Sequence, residues 1–393
     1  MKILAIETSC DETAVSILQA SGSIERPNFS SLANLVLSQI DIHSQYGGVF
    51  PALAKREHAK NIIPLIKEAI KKADLPTKKN ILTDSLKEDL NEIFTHEEDL
   101  TEKTLTFLKE TGTPDIDVIA VTYGPGLEPA LWVGINTAKA LSKAWNKPVV
   151  AVNHLEGHIA SVLFKNQQNE EKRQPELPAI ALIISGGHTE LIGIEKWGKY
   201  KFLGGTVDDA VGEAYDKVAR MLDLPYPGGP PLSKLAQKAR DSKKENPFTF
   251  PRPMKNSDDL NLSFSGLKTA VLYTVKKQDS VDDDKKCFIA SAFEDAVADV
   301  LTDKTKKAIE KHHYKSLIVC GGVSANSFLR NRFENLGNDI NIPVFIPDIK
   351  LSTDNAFMIS LGGFINLKTN SPNILKDEES IKNLKAEGNL RLE

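Results

Sequence analysis

The 393-residue chain has few cysteines, and the three that it has, Cys10, Cys287 and Cys320, show no paired spacing. A disulfide-stabilised domain has a denser set, and a cysteine-rich metal site has cysteines only a few residues apart. The sequence therefore excludes both. We expect reduced thiols and a cytoplasmic location.

The chain also lacks an excess of positive charge. It contains 49 Lys and Arg residues and 53 Asp and Glu residues, which gives a formal net charge of −4. This balance provides no overall attraction to a polyanion. Contact with RNA would need a local basic patch or a partner protein.

Long hydrophobic runs are absent as well, and no stretch approaches the length that spans a bilayer. Glu7 and Asp11 follow the apolar first residues at once, which the core of a signal peptide would not allow. We therefore expect no membrane association. The length is sufficient for two domains, and a composition of 41% hydrophobic and 26% charged residues is ordinary for a globular protein.

A strand–turn–strand pattern occurs twice. Residues 3–6 and 14–18 are apolar and flank a polar turn, and residues 179–184 and 191–194 flank a glycine turn in the same way. A third apolar run, residues 317–319, leads into Gly321 and Gly322 and then a helix. Strands that alternate with helices predict an α/β fold. The opening is typical of actin-like and ribonuclease-H-like ATPases, and the repeat predicts two related lobes with a cleft between them.

The predicted domains follow from this repeat. The first lobe comprises residues 1–165 and about 350–393, and the second lobe, residues 175–349, carries the nucleotide pocket. The hydrophilic residues 165–178 are the best linker candidate. Residues 76–113 predict an inserted pair of short surface helices, with a possible capping box at Ser85 and Glu88. A plain surface insertion is the simpler interpretation, and a docking surface for a partner is the alternative.

A metal site is indicated by His154 and His158, which are four residues apart and would share one face of a helix. The zinc-protease motif places a glutamate directly after the first histidine, whereas Glu156 lies one place later, roughly 200° around the helix from His154. The spacing alone is equally compatible with a metal site and with two histidines that bind no metal. By itself, Asp354 would be interpreted as the N-cap of an amphipathic C-terminal helix. A His–His–Asp set would suit iron(II) or zinc.

Nucleotide-binding loops are indicated by glycines that follow strands. Backbone N–H groups in such turns bind anions, and a following helix N-terminus adds its positive end. A helix predicted around residues 208–220 carries Asp208 and Asp209, which we interpret as solvated, and Asp216, which could accept both hydroxyls of a ribose. Gly229 could bring its backbone beside a sugar.

These motifs together resemble the TsaD family, whose members install threonylcarbamoyl on adenosine 37 of tRNA. They occur in order from the first strand to about residue 365, at residues 6–13, 154–158, 185–189, 209–217, 264–270, 321–326 and 353–355. The insertion at residues 76–113 is not part of the usual family pattern. The resemblance implies an actin-like (ASKHA) fold and one divalent metal, Fe²⁺ in preference to Zn²⁺, held by His154, His158 and Asp354. It also implies that the adenylate substrate is bound by Ile183, Ile184, Ser185, Gly186, Gly187, Asp216, Gly229 and Asn326.

The implied reaction transfers threonylcarbamoyl from threonylcarbamoyl-AMP to tRNAs that read codons beginning with A. Glu12 is our candidate for handling a proton. The implied partners are a degenerate TsaB-like paralogue and a small TsaE-like ATPase. The alternatives are a small-molecule kinase of the same fold class, a metalloprotease and a nucleotide-binding scaffold. Lys55, Arg56 and Lys60 could contact tRNA, although a solvated helix face explains them more simply.

Overall fold

The computed structural model describes residues 1–79, 82–95, 98–164 and 174–393. It comprises two compact units, Met1–Phe164 with Asp354–Leu392, and Lys165–Thr353. Most of the predicted linker, residues 165–173, lies outside the described residues. Within the described ranges, no helix is both long and apolar enough to cross a membrane.

In chain order, the described strands are β1 (Lys2–Glu7), β2 (Glu12–Gly22), β3 (Pro27–Ser38), β4 (Thr77–Lys78), β5 (Thr113–Pro114), β6 (Val118–Gly124), β7 (Val149–Asn153), β8 (Ala179–Ile184), β9 (Thr189–Lys196), β10 (Lys199–Gly205), β11 (Ser316–Cys320), β12 (Val344–Phe345) and β13 (Ile374–Leu375). Strand β3 was not predicted. It is the edge strand of its sheet, and Ala33 is its one buried residue, so it lacks the buried apolar run of a central strand.

The sheets of the two units repeat one strand order. From one edge to the other, the first unit has the order β3-β2-β1-β6-β7-β13, and the second has β10-β9-β8-β11-β12. The first five strands of the first unit correspond in order to the five strands of the second. In the first, β1 is antiparallel to β2 and parallel to β6. In the second, β8 is antiparallel to β9 and parallel to β11. The predicted repeat of a strand–turn–strand unit is therefore confirmed, and it extends to the pairing of a later parallel strand.

The described helices are α1 (Ile40–His43), α2 (Pro51–Lys72), α3 (Asp84–Ile93), α4 (Glu98–Thr111), α5 (Glu128–Trp145), α6 (His154–Ala160), α7 (Val211–Met221), α8 (Gly229–Asp241), α9 (Ser265–Lys276), α10 (Asp283–His312), α11 (Ser327–Asp339), α12 (Ile349–Ser352), α13 (Ala356–Thr369) and α14 (Glu378–Lys382). Short 3₁₀ turns cover Ser44–Tyr46, Ser161–Leu163 and Gly322–Ala325.

Helix α13 differs from its prediction. We expected an amphipathic C-terminal helix, but every residue from 356 to 366 is buried. The helix contacts β1, β2, β7 and α6, so most of its circumference is covered by protein. This central position makes α13 a rigid base for the residues that precede it.

The predicted pair of helices in the insertion is present as α3 and α4, but the predicted capping box is wrong. The N-cap of α3 is Thr83, whose hydroxyl accepts a hydrogen bond from the Leu86 amide at 3.1 Å. Leu90 and Phe107 are buried in the core of the first unit. The two helices are therefore integrated by packing.

Candidate metal centre and nucleotide loops

Helix α6 places His154 and His158 on one buried face. It begins directly after β7, and the Asn153 side chain caps it by accepting a hydrogen bond from the Leu155 amide at 2.8 Å. All seven residues of the helix are buried. The centroids of the two imidazole rings lie 4.8 Å apart. The predicted helical i, i+4 pair is thus present.

Asp354 reaches the same point from the other end of the chain. It precedes α13, but the N-cap is Asn355, whose side chain accepts a hydrogen bond from the Met358 amide at 2.9 Å. The N-cap interpretation of Asp354 is therefore wrong. Because Asn355 satisfies the helix terminus, the Asp354 carboxylate is directed to the histidines, with Oδ1 3.5 Å from His154 Nε2 and 3.1 Å from His158 Nε2.

This arrangement fits a divalent metal. The ligand atoms of the three side chains lie within 4.8 Å of one another, the one such group of His, Cys, Asp or Glu in the described part of the chain. Neither ring nitrogen of His158 has a hydrogen-bond partner among the described residues, since its approach to Asp354 lacks hydrogen-bond alignment. A buried imidazole whose nitrogens form no hydrogen bond needs an explanation, and coordination of a metal ion would supply one.

Glu7 lies behind His154, and the sequence reasoning did not assign it a role. Its Oε2 is 3.1 Å from His154 Nδ1, and it accepts hydrogen bonds from the Thr122 hydroxyl at 2.6 Å and the Ser9 amide at 2.5 Å. An ionised carboxylate only accepts, so Nδ1 carries a ring proton, and Nε2 is the nitrogen that can bind a metal ion once it is deprotonated. A fully buried acid at the end of a strand is the signal that could have identified it.

The charges around the histidines favour a cation. Burial would raise the pKa of Asp354, but His154 and His158 hold it well below its usual value. Burial would lower the pKa of His154, yet Asp354 and Glu7 raise it well above its usual value. The field that stabilises an imidazolium also stabilises a metal ion at the same point.

Glu12, the first residue of β2, is electrostatically linked to this centre. Burial and then the charges of Asp354 and Asp11 raise the pKa of Glu12 well above its usual value. Glu156 belongs to a different environment, because its Oε2 accepts a hydrogen bond from Asn366 Nδ2 at 2.6 Å. Its carboxylate is therefore occupied away from the histidine pair, as the sequence indicated.

In the second unit, two glycine turns follow neighbouring strands. Ile183 in β8 pairs with Cys320 in β11, so the turns that follow them are adjacent. Gly321 has a φ of +91°, and a Cβ there would lie 2.5 Å from the Ile184 carbonyl oxygen. Only glycine permits that approach. It brings the two turns together at one edge of the sheet.

Open space lies over four glycines of the predicted nucleotide site. A Cβ built on Gly186, Gly187, Gly229 or Gly322 would meet no other described atom within 4 Å. Gly212 differs, because a Cβ there would lie 2.6 Å from the Ser185 carbonyl oxygen. The four open positions fit a ligand that approaches the backbone closely.

Asp216 and Gly229 are brought together by a turn. Asp216 Oδ1 accepts a hydrogen bond from the Gly228 amide at 2.7 Å, and burial raises the pKa of this carboxyl. Asp208 and Asp209 precede α7 and are not helical, which corrects their predicted position, whereas Asp208 is exposed as predicted. Asp208 accepts a hydrogen bond from the Phe264 amide, and Asp209 forms ion pairs with two lysines, Lys217 and Lys268.

Asn326 caps α11 and lies in a polar network that sequence reasoning missed. Its Nδ2 donates to Glu294 Oε1 at 2.7 Å and to the Ser233 hydroxyl at 2.8 Å, and its Oδ1 accepts from the Leu329 amide. Glu294 is fully buried and forms an ion pair with Arg240. The side-chain N–H groups of Asn326 are therefore committed to the protein.

The family of this chain follows from its sequence match. A family model described as TsaD, tRNA N6-adenosine threonylcarbamoyltransferase, matches residues 30–81 and 94–361. The chain belongs to the TsaD family. The match includes the histidine pair, Asp354 and the glycine turns of the second unit. TsaD membership confirms the predicted actin-like fold class.

The similar solved structures are distant. HypF in its phosphate- and nucleotide-bound form is 13% identical with a TM-score of 0.48, over 70% of this chain and 42% of HypF, so this chain spans less than half of HypF. The ADPNP-bound activator of the 2-hydroxyisocaproyl-CoA dehydratase from Clostridium difficile is 12% identical with a TM-score of 0.45, over 100% of both chains. YeaZ from Pseudomonas aeruginosa is 17% identical with a TM-score of 0.25, over 51% of this chain and 65% of YeaZ.

The TsaD match also shows which part of the predicted insertion lies outside the family model. Residues 82–93 are unmatched, and they contain α3. Helix α4 lies inside the matched range. The unmatched segment is therefore shorter than the 76–113 insertion predicted from the sequence.

We predict that Glu7→Gln weakens metal binding about 10- to 100-fold, because His154 loses the carboxylate that fixes its tautomer and orientation. Competition for Zn²⁺ with a chromophoric chelator measures this affinity. Glu156→Gln is the matched control, since Glu156 is likewise buried and lies between the two histidines in sequence, but bonds to Asn366. Equal affinities of the Glu7→Gln variant and the unchanged protein would show that Glu7 does not support the site.

Alanine substitutions can distinguish the glycines that leave space for a ligand from the glycine that is needed for close packing. We predict that Gly187→Ala and Gly322→Ala keep the wild-type melting temperature but weaken AMP binding, measured by calorimetry. Gly212→Ala should lower the free energy of unfolding by about 1–3 kcal/mol, because its methyl group overlaps the Ser185 carbonyl. Unchanged AMP affinity in the first two variants would place the nucleotide elsewhere.

Proposed function

We propose that this protein transfers threonylcarbamoyl from threonylcarbamoyl-AMP to the exocyclic amine of adenosine 37, in tRNAs that read codons beginning with A, and releases AMP. The observation that carries the proposal is the convergence of His154, His158 and Asp354 in a chain of the TsaD family. The donor is a mixed anhydride and is already activated. The protein therefore has to position two substrates and stabilise charge on oxygen.

In the proposed reaction the adenosine amine attacks the carbamoyl carbon. The bond from that carbon to the phosphate oxygen breaks, AMP leaves, and the amine loses a proton. No protein nucleophile is required. Cys10 is a poor candidate for one, because burial, and then the charges of Asp11 and Asp354, raise the pKa of its thiol well above the usual value.

His154, His158 and Asp354 would hold one divalent ion, Fe²⁺ in preference to Zn²⁺. When bound, such an ion supplies Lewis-acid stabilisation of the negative charge on carbamoyl or phosphate oxygens. Glu7 would keep His154 Nε2 directed at the ion. Glu12 would handle the proton of the attacking amine, and its electrostatic link to Asp354 supports that assignment.

The second unit would bind the adenylate. Ile183 and Ile184 end β8, and the turn that follows, Ser185, Gly186 and Gly187, has backbone N–H groups that suit a phosphate. Asp216, Gly229 and Asn326 complete the proposed pocket. Because its N–H groups are committed, Asn326 would contact the ligand through its backbone or through its Oδ1, while Asp216 keeps acceptor capacity for a ribose hydroxyl.

The partners and location are inferred from the family alone. We propose that the protein works in the cytoplasm with a TsaB-like paralogue and a TsaE-like ATPase. A metalloprotease is disfavoured, because the one carboxylate inside the histidine motif, Glu156, is bonded to Asn366. A kinase of this fold would release ADP from ATP and a small acceptor, and ADP formation would reveal it.

We predict that His158→Ala lowers both metal content and transfer at least 100-fold in a single-turnover assay with preformed threonylcarbamoyl-AMP and a tRNA transcript. Nucleoside mass spectrometry measures the product. In the same assay Glu12→Gln should bind metal normally but transfer more slowly, and full activity would remove its proton-handling role. His312→Ala, at the end of α10, is the control. Normal transfer by metal-free His158→Ala would refute the metal assignment.

A further inference from the structure

Exposed hydrophobic side chains are concentrated in one short segment of the first unit. Among the described residues, eight large hydrophobic side chains are exposed, and four of them lie between residues 36 and 50. The two most exposed of these four are aromatic, Tyr46 at 66% and Phe50 at 57%. Their rings are stacked, with centroids 6.2 Å apart and an angle of 28° between the planes. Exposed, near-parallel rings offer flat faces to a planar ligand.

This segment joins β3 to α2 and is attached to the turn between β1 and β2. The Gln39 amide donates to the Asp11 carbonyl oxygen at 2.9 Å, and His58 Nε2 lies 3.0 Å from the Cys10 carbonyl oxygen. The Phe50 amide in turn donates to His43 Nδ1. Because the β1–β2 turn leads into Glu12, hydrogen bonds tie the aromatic pair to the proposed reaction centre within one unit.

Positive charge follows the aromatic pair along the chain, on the helix that begins directly after Phe50. This helix, α2, has no acidic residue in its first turn. Its next turns present Arg56 and Lys60, whose side chains are 74% and 66% exposed. Both approach Glu57, but such exposed ion pairs are weak and leave the cations available to a polyanion. Aromatic rings beside exposed cations are the combination by which proteins bind single-stranded nucleic acid.

We propose that Tyr46 and Phe50 form a stacking platform for unpaired bases of the RNA substrate, with Arg56 and Lys60 contacting its phosphates. This inference rests on the proposed function, which requires an unstacked adenosine in a tRNA loop to reach the first unit. Bases in such loops are recognised by stacking on exposed aromatic side chains. The cations distinguish the site from a purely apolar protein-docking patch.

The test measures binding of a fluorescein-labelled tRNA anticodon stem-loop by fluorescence anisotropy at fixed salt concentration. Tyr46→Ala and Phe50→Ala should each weaken binding about 5- to 160-fold, the range for loss of one base stack. Tyr46→Phe should bind normally, because it keeps the ring. Tyr273→Ala is the matched control, since Tyr273 is 60% exposed in the second unit.

Salt dependence separates the two kinds of contact. Arg56→Gln should reduce the slope of log affinity against log salt by about one, whereas Tyr46→Ala should leave the slope unchanged. If both alanine variants bind the stem-loop with wild-type affinity, the platform is refuted. It is also refuted if the substitutions change only the self-association of the protein, measured by sedimentation. The transfer assay keeps the proposed function separate: a wild-type protein that makes no product refutes the function, whereas product formation with unchanged RNA affinity in the variants refutes only the platform.

Discussion

The approach of the Asp354 carboxylate to two imidazoles is the contact on which the proposed chemistry depends. It requires close packing between α6, which carries the histidines, and α13, which follows Asp354. Gly157 makes this possible, because a Cβ there would lie 2.9 Å from Ile359 Cδ1. Gly362 of α13 allows a close approach to β7, the strand that leads into α6, since its Cβ would lie 2.7 Å from Val152 Cγ1. Small residues at both positions fix the distance between the histidines and the aspartate.

Burial and nearby negative charges determine the protonation of the groups around this centre. Glu7 and Asp354 are negative and lie on opposite sides of His154, so the imidazole is held between two carboxylates. Burial without such partners would make charged groups unstable. The same surroundings keep the Cys10 thiol protonated, which is consistent with a reaction that uses an already activated donor.

Much of the architecture could be predicted because it depends on local sequence patterns. Apolar runs located β1, β8 and β11, and the four-residue spacing of His154 and His158 indicated their shared face. Non-local facts were not accessible in this way. Nothing near Asp354 shows that Asn355 takes over the cap, and that change decides whether the carboxylate is available. Spacing therefore could not connect Asp354 with the histidines, and the family resemblance did so.

Other residues were missed for the same reason. Glu7 acquires its role only from Thr122 and His154, which approach it through tertiary structure. The commitment of Asn326 to Glu294 likewise depends on the packing of α8, α10 and α11. Asp208 and Asp209 were placed on α7 because apolar periodicity does not mark a helix start sharply, and the helix begins two residues after Asp209.

X-ray absorption spectroscopy of the protein loaded anaerobically with one equivalent of Fe²⁺ or Zn²⁺ would test the metal centre without relying on activity. We expect a coordination shell with two imidazole nitrogens and at least one carboxylate oxygen at about 2.0–2.2 Å. The Asp354→Asn variant should lose the oxygen contribution or the bound metal. A shell without imidazole signatures, or one identical in the Asp354→Asn variant, would contradict the proposed ligand set.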